Sequence, residues 1–153
     1  MKPAALFVSS AILFLSSALV CTAQVKGYWR AASTTAESIT GDISISENRL
    51  TINFSRFPMA QIRRLTPAET SAAFDVDIHT GARGTLYRLY VPAEKHFLRH
   101  NTLCGTEDTR WMAIYASGNS LEVAFFSGEK PPVFTMDALA NSMELCGTFA
   151  YAR

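Results

Sequence analysis

Asp75, Asp77 and His79 alternate with Phe74, Val76 and Ile78, and alternate residues of a strand project from one face. Read as a strand, the stretch sets three metal-capable side chains in a row, and a fourth group would let them hold zinc or a hard cation. The same row is what the wet face of a half-buried strand looks like. These three residues are therefore candidates for a metal site without being assigned as ligands. His96 and His100 stand four apart, and so are neighbours if residues 93–101 are helical. They lack the glutamate of a zinc-protease helix and a third ligand, which leaves them as surface histidines. No G-x-S-x-G elbow is present. Gly81-Ala82-Arg83-Gly84 lies between two strand patterns, lacks the helix N-terminus of a phosphate cradle, and reads as a turn. No catalytic residue is assigned, and no cofactor is implied.

The cysteines say more. Leu103-Cys104-Gly105-Thr106 recurs as Leu145-Cys146-Gly147-Thr148, and the third cysteine, Cys21, sits in an N-terminal apolar run. That run, Ala4 to Val20, follows Lys2 and leads to Cys21-Thr22-Ala23, the plan of a secretory signal with small residues before a cut after Ala23. An uncleaved anchor is the rival reading, although four serines interrupt a stretch at the lower limit of about 17 residues for a bilayer span. A lipidated Cys21 would want a smaller residue than Val20 before it. Residues 1–23 are thus expected to be a signal peptide and residues 24–153 a single β-domain, periplasmic or secreted. The domain then carries two cysteines through an oxidising route, whose simplest pairing is one Cys104–Cys146 disulfide.

Removal of Lys2 leaves thirteen basic against thirteen acidic side chains. A formal charge near zero gives no electrostatic case for nucleic acid or an anionic membrane surface. The membrane would be met only in transit, through the signal peptide. About 130 residues suit one core, with no room for a second domain.

Period-two patterns run through this domain. Val25–Ala32 with Trp29, Ser38–Ser46, Leu50–Ser55, Met59–Leu65, Phe74–His79, Gly84–Val91, Trp111–Ser117, Ser120–Phe126 and Met143–Tyr151 all read as strands. Phe57-Pro58 reads as a break. Thr66-Pro67-Ala68-Glu69 has the form of a helix start with a capping box, and residues 137–141 read as a short helix. Gly118-Asn119 between two strong strands marks a tight hairpin. Seven to nine short strands joined by short turns predict an all-β fold, a small antiparallel barrel or barrel-like sandwich with one disulfide and one or two helical turns.

The stretches Asn101-x-Leu103-Cys104-Gly105, Phe126-Ser127-Gly128 with Pro131-Pro132, Leu145-Cys146-Gly147-Thr148-Phe149-x-Tyr151 and Ile39-Thr40-Gly41-Asp42-Ile43 resemble a group of small uncharacterised secreted proteins of Proteobacteria with paired Leu-Cys-Gly motifs. The resemblance implies export and the disulfide, and no catalytic residue. Gly27-x-Trp29, the strand series and Arg153 resemble lipocalins and other calycin-type barrels, in which the tryptophan plugs one end and a late arginine stacks on it.

Three function classes follow. The first is an exported non-enzymatic binding protein that meets another protein through its loops, a hydrolase inhibitor among the options, because stiff Pro131-Pro132 and a disulfide favour preorganised loops. The second is a lipocalin-like carrier of a small apolar ligand, since a barrel of about eight strands can hold one. The third is a metal-dependent enzyme at Asp75, Asp77 and His79. Candidate ligand or partner contacts are Trp29, Tyr87, Tyr90, Trp111, Pro131 and Pro132.

Overall fold

A computed structural model describes residues 24–153. The expected signal peptide, residues 1–23, lies outside them. Eight antiparallel strands follow one another around a closed barrel. They are β1 (Gly27–Ala31), β2 (Ile43–Ile45), β3 (Arg49–Ile52), β4 (Ser55–Arg64), β5 (Thr85–Val91), β6 (Thr109–Ser117), β7 (Ser120–Phe126) and β8 (Leu145–Ala152). Three helices interrupt the meander: α1 (Thr34–Ile39) after β1, α2 (Pro67–Phe74) after β4 and α3 (Met136–Ala140) after β7.

Two strands turn the corners that close the ring. β1 pairs with β2 through residues 27–29 and with β8 at Arg30 and Ala31. β4 pairs with β3 through Pro58 and with β5 from Met59 onward. The expected break at Phe57-Pro58 is this crossing, and β4 runs straight through it. Pro58 has no N–H to give, and at the point where the strand changes partners none is needed, because the next N–H, of Met59, bonds to Asn48. Among the described residues, closure leaves no unpaired strand edge for association.

Alternation sorts the side chains into two cores. Trp29, Ile43, Leu50, Ile52, Leu89, Met112, Ile114, Leu121, Val123, Phe125, Phe149 and Tyr151 point inward as one cluster. The intervening Leu86, Trp111, Ala113, Ala124 and Phe126 form a second, outer cluster with Leu65, Phe74 and Phe134. Strands β6 and β7 are apolar on both faces because α2 and the segment after β7 cover their outside. Within the barrel, Phe125 and Phe149 meet edge to face at 5.2 Å.

The capping box forms as expected. Thr66 Oγ1 accepts from the Glu69 N–H, Glu69 Oε2 accepts from the Thr66 N–H, and Pro67 occupies the first turn. The Gly118 turn also forms, with φ +55° at the glycine.

Other local expectations fail. Residues 38–46 are not one strand: Ser33 caps α1, Thr40 ends it, and only Ile43–Ile45 extends. The helix stops because Gly41 turns left-handed at φ +61°, with the Leu98 side chain 3.0 Å from where a Cβ would sit. Residues 74–79 are not a strand either. Phe74 closes α2, Asp75 is its left-handed cap at φ 52°, and Ile78–Thr80 is a 3₁₀ turn capped by Asp77. In β8, Leu145 does not share a face with Phe149. Phe125 pairs with Gly147 but Phe126 with Leu145, so Cys146 is an extra residue in a bulge. The bulge turns Leu145 to the outer cluster and Cys146 toward the inner one.

The Cys104–Cys146 disulfide is present, with 4.8 Å between Cα atoms and a sequence separation of 42. It ties the connection between β5 and β6 to the start of β8. At the other end of β8, the Tyr151 hydroxyl lies 2.7 Å from that of Thr40, below α1, and burial pushes its pKa up.

Candidate binding surfaces

The barrel interior is filled. Trp29, Leu50, Ile52, Met112, Leu121, Val123 and Phe125 retain no accessible surface, from inside or outside. A water-sized sphere therefore finds no room against any of them, and binding chemistry must be sought on the outside.

Of the aromatic and proline candidates, Trp29 and Tyr87 belong to the inner core and Trp111 to the outer one, all buried. The Trp111 indole N–H donates to Gly128 O at 2.9 Å, and the Arg88 guanidinium lies 4.4 Å over its ring. Trp29 donates to Val25 O at 2.8 Å. All three are packed in the cores, and Tyr87 also lines a concave surface with Lys26, Ile45, Glu47 and Gln61. Tyr90 and Pro131 are exposed and Pro132 is half-buried.

The metal row does not assemble. Asp75, Asp77 and His79 sit on a helix cap and a 3₁₀ turn instead of one strand face, and the Asp77 carboxylate accepts from the His79 N–H at 2.8 Å. The Glu122 carboxyl has its pKa raised first by burial and then by the charge of Asp75. Among the described residues, no group of three or more His, Cys, Asp or Glu side chains is placed to hold a metal ion. His96 and His100 meet edge to face at 6.2 Å, both exposed.

Two of the concave outer surfaces stand apart by their lining. The first is a slot of about 230 Å³ between α2 and α3, lined by Ala72 and Ala73 from one helix and Met136, Leu139 and Ala140 from the other. Its floor is Ala124, Phe126 and Leu145. No polar side chain lines it. The 127–144 connection that carries α3 also carries Pro131-Pro132 and exposed Val133, Met136 and Met143. This connection is held at both ends: Trp111 bonds to Gly128 near its start, and the bulged Cys146 is anchored by the disulfide just past its end.

The second is a groove of about 480 Å³ on the outer side of β1–β3, between Tyr28, Asp42 and the turn Asn53-Phe54. Sequence reasoning placed Phe54 in a strand and missed this turn. Its signal was there: Asn53 in a two-residue gap between alternating runs, without the usual glycine beside it.

No family model, curated protein or solved structure matches this chain. Its class is therefore defined by its architecture, a closed eight-stranded antiparallel barrel with a filled interior and two helices on its outer face. Among the described residues, no helix is long and apolar enough to cross a membrane.

Proposed function

We propose that this chain is an exported, non-enzymatic binding protein that holds a protein partner at the slot between α2 and α3. The observation that carries the reading is the slot's lining, eight residues without one polar side chain, beside exposed Val133 and Met136. Such a cleft suits one leucine- or phenylalanine-sized anchor projecting from a partner's loop, with a rim that excludes water around it. A hydrolase loop is a partner of this kind. Pro131-Pro132 and the disulfide limit the motion of the rim, which lowers the ordering cost of association. Export rests on the signal-like residues 1–23 and on the disulfide, which persists in oxidising compartments.

The filled interior favours this reading over an internal carrier. The features on which a calycin likeness would rest are eight strands in sequence order and the Arg153 guanidinium over the Trp29 ring.

The test is photo-crosslinking in the native host from position 136, with position 90 as control, on protein whose N-terminus is sequenced at the same time. The expected result is a mature chain beginning at Gln24 and a crosslinked second protein from position 136 alone. Ala73→Arg, which fills the slot from α2, should abolish that product at an unchanged far-UV spectrum. A product that survives Ala73→Arg, one made only of a second copy of this chain, or none at all overturns the partner reading. Retained residues 1–23 overturn export.

A further inference from the structure

The groove on β1–β3 lies away from the slot and has a different chemistry. Its wall carries Tyr28, half exposed, and its lip carries Phe54, 96 % exposed. Between them stand Asp42, Ser44, Thr51 and Asn53. The Tyr28 hydroxyl donates to Asp42 Oδ2, and Asp42 Oδ1 accepts from the Ala31 N–H at 2.9 Å. These bonds fix the carboxylate in one orientation, and they hold its pKa below the usual range, the Tyr28 bond most. Each of its oxygens keeps a lone pair for another donor. By contrast, the side chains of Ser44, Thr51 and Asn53 make no hydrogen bond among the described residues, although Ser44 and Thr51 are half-buried.

Phe54 is the second observation. Asn53 at φ 44° and Phe54 at φ 64° make a two-residue hairpin turn in which both central residues are left-handed. Glycine is the low-energy choice at the second position, and a bulky aromatic there is a true outlier. Its ring touches almost nothing that would compensate, so the fold gains nothing from it. Conformational strain kept without a packing reason points to a ligand.

We propose that this groove binds a neutral carbohydrate, one sugar ring lying on the Phe54 face with its hydroxyls on Asp42, Ser44, Thr51 and Asn53. A pyranose offers what the groove lacks: an apolar face of C–H bonds for an aromatic ring and an edge of hydroxyls that both donate and accept. An extended peptide fits less well, because β1, β2 and β3 are paired on both sides and offer no free backbone edge. Among the described residues, no lysine or arginine lines the groove, which disfavours phosphate or sulfate esters. The volume falls within the range of about 300 to 1,000 Å³ common for small-molecule sites.

The test is a ¹H–¹⁵N titration of the disulfide-bonded protein with chitotetraose, as a wall-type glycan, maltotetraose, as a free storage-type one, and a polysulfated octasaccharide. A neutral sugar should move the amides of Gly41, Asp42, Ser44, Asn53 and Phe54 in a saturable way, with Kd on the order of 1 mM or tighter. Which neutral sugar does so distinguishes the two sources. Phe54→Gly should weaken that binding about tenfold or more while raising Tm by about 4 °C, since it removes the stacking face and the strain together. Thr51→Val, which keeps the shape and removes one hydroxyl, should weaken binding without moving Tm by more than about 2 °C. A response to the sulfated sugar alone, no saturable shift from any neutral sugar at about 10 mM, or Phe54→Gly binding as well as the parent overturns the proposal.

Discussion

The guanidinium carbon of Arg153 lies 4.1 Å over the centre of the Trp29 indole. The same guanidinium donates to the backbone carbonyls of Gln24 and Lys26, so one side chain clamps β1, the segment before it and the end of β8. Its planar fork is what allows stacking and two carbonyl bonds at once, which a lysine ammonium does not reproduce. Arg153→Ala should therefore destabilise by about 1 to 2 kcal/mol, and Arg153→Lys by nearly as much. Urea unfolding followed by Trp29 and Trp111 fluorescence measures both. Equal stability of parent and Ala variant would show the clamp to be idle.

Cys104–Cys146 closes a loop of 42 residues, for which the chain-entropy model gives about 4 kcal/mol. For a domain of this size that is a large share of a stability of about 5 to 15 kcal/mol. The double variant Cys104→Ala/Cys146→Ala should lose about 2 to 4 kcal/mol in denaturant unfolding while keeping its far-UV β spectrum, because the eight-strand ladder does not depend on the bridge. A loss below about 1 kcal/mol would mean that the β5–β6 connection is already ordered in the unfolded chain.

Glu69 has two tasks. It closes the capping box at α2 and accepts both arms of Arg63, each at 2.8 Å. The Arg63 bond is the main reason that its pKa is pushed down to about 2. A lowered folded-state value means that the unfolded chain takes up the proton first as pH falls. The contribution is thus complete above the ordinary value of 4.5 and is lost as pH drops from there toward 2. Glu69→Gln keeps an amide able to cap and removes the charge. It should cost about 1 kcal/mol at pH 7 and nothing near pH 2, discounted for the partial exposure of the pair. Melting curves of both proteins from pH 2 to 7 should converge at the acid end, and parallel curves would contradict the assignment.

The capping box and the Gly118 hairpin were legible because each is encoded within a few neighbouring residues. Thr66, Pro67 and Glu69 satisfy the first amides of α2 whatever surrounds them. Gly118-Asn119 between two strand patterns marks the β6–β7 hairpin in the same local way. The paired cysteines likewise carried their own partner by count alone.

Residues 38–42 and 74–79 misled for the complementary reason. Both alternate as strands do, but Ser33 and Thr66 had already committed the chain to helices whose ends fell inside the pattern, at Gly41 and Asp75. A helix cap outweighs a short alternation because it satisfies backbone amides that the alternation leaves open. The site shows the same division. Spacing put Tyr87 and Tyr90, three apart on β5, on opposite faces, but which of those faces is buried depended on packing around the ring, and Tyr87 is the buried one. By itself the sequence determined an all-β domain, barrel or barrel-like sandwich, with one disulfide and one capped helix. Only the tertiary structure decided which side chains fill the barrel, where α2 and α3 leave a slot, and that Phe54 stands alone on a left-handed turn. Those are relations between segments distant in the chain, fixed by closure of the ring and not by any local preference.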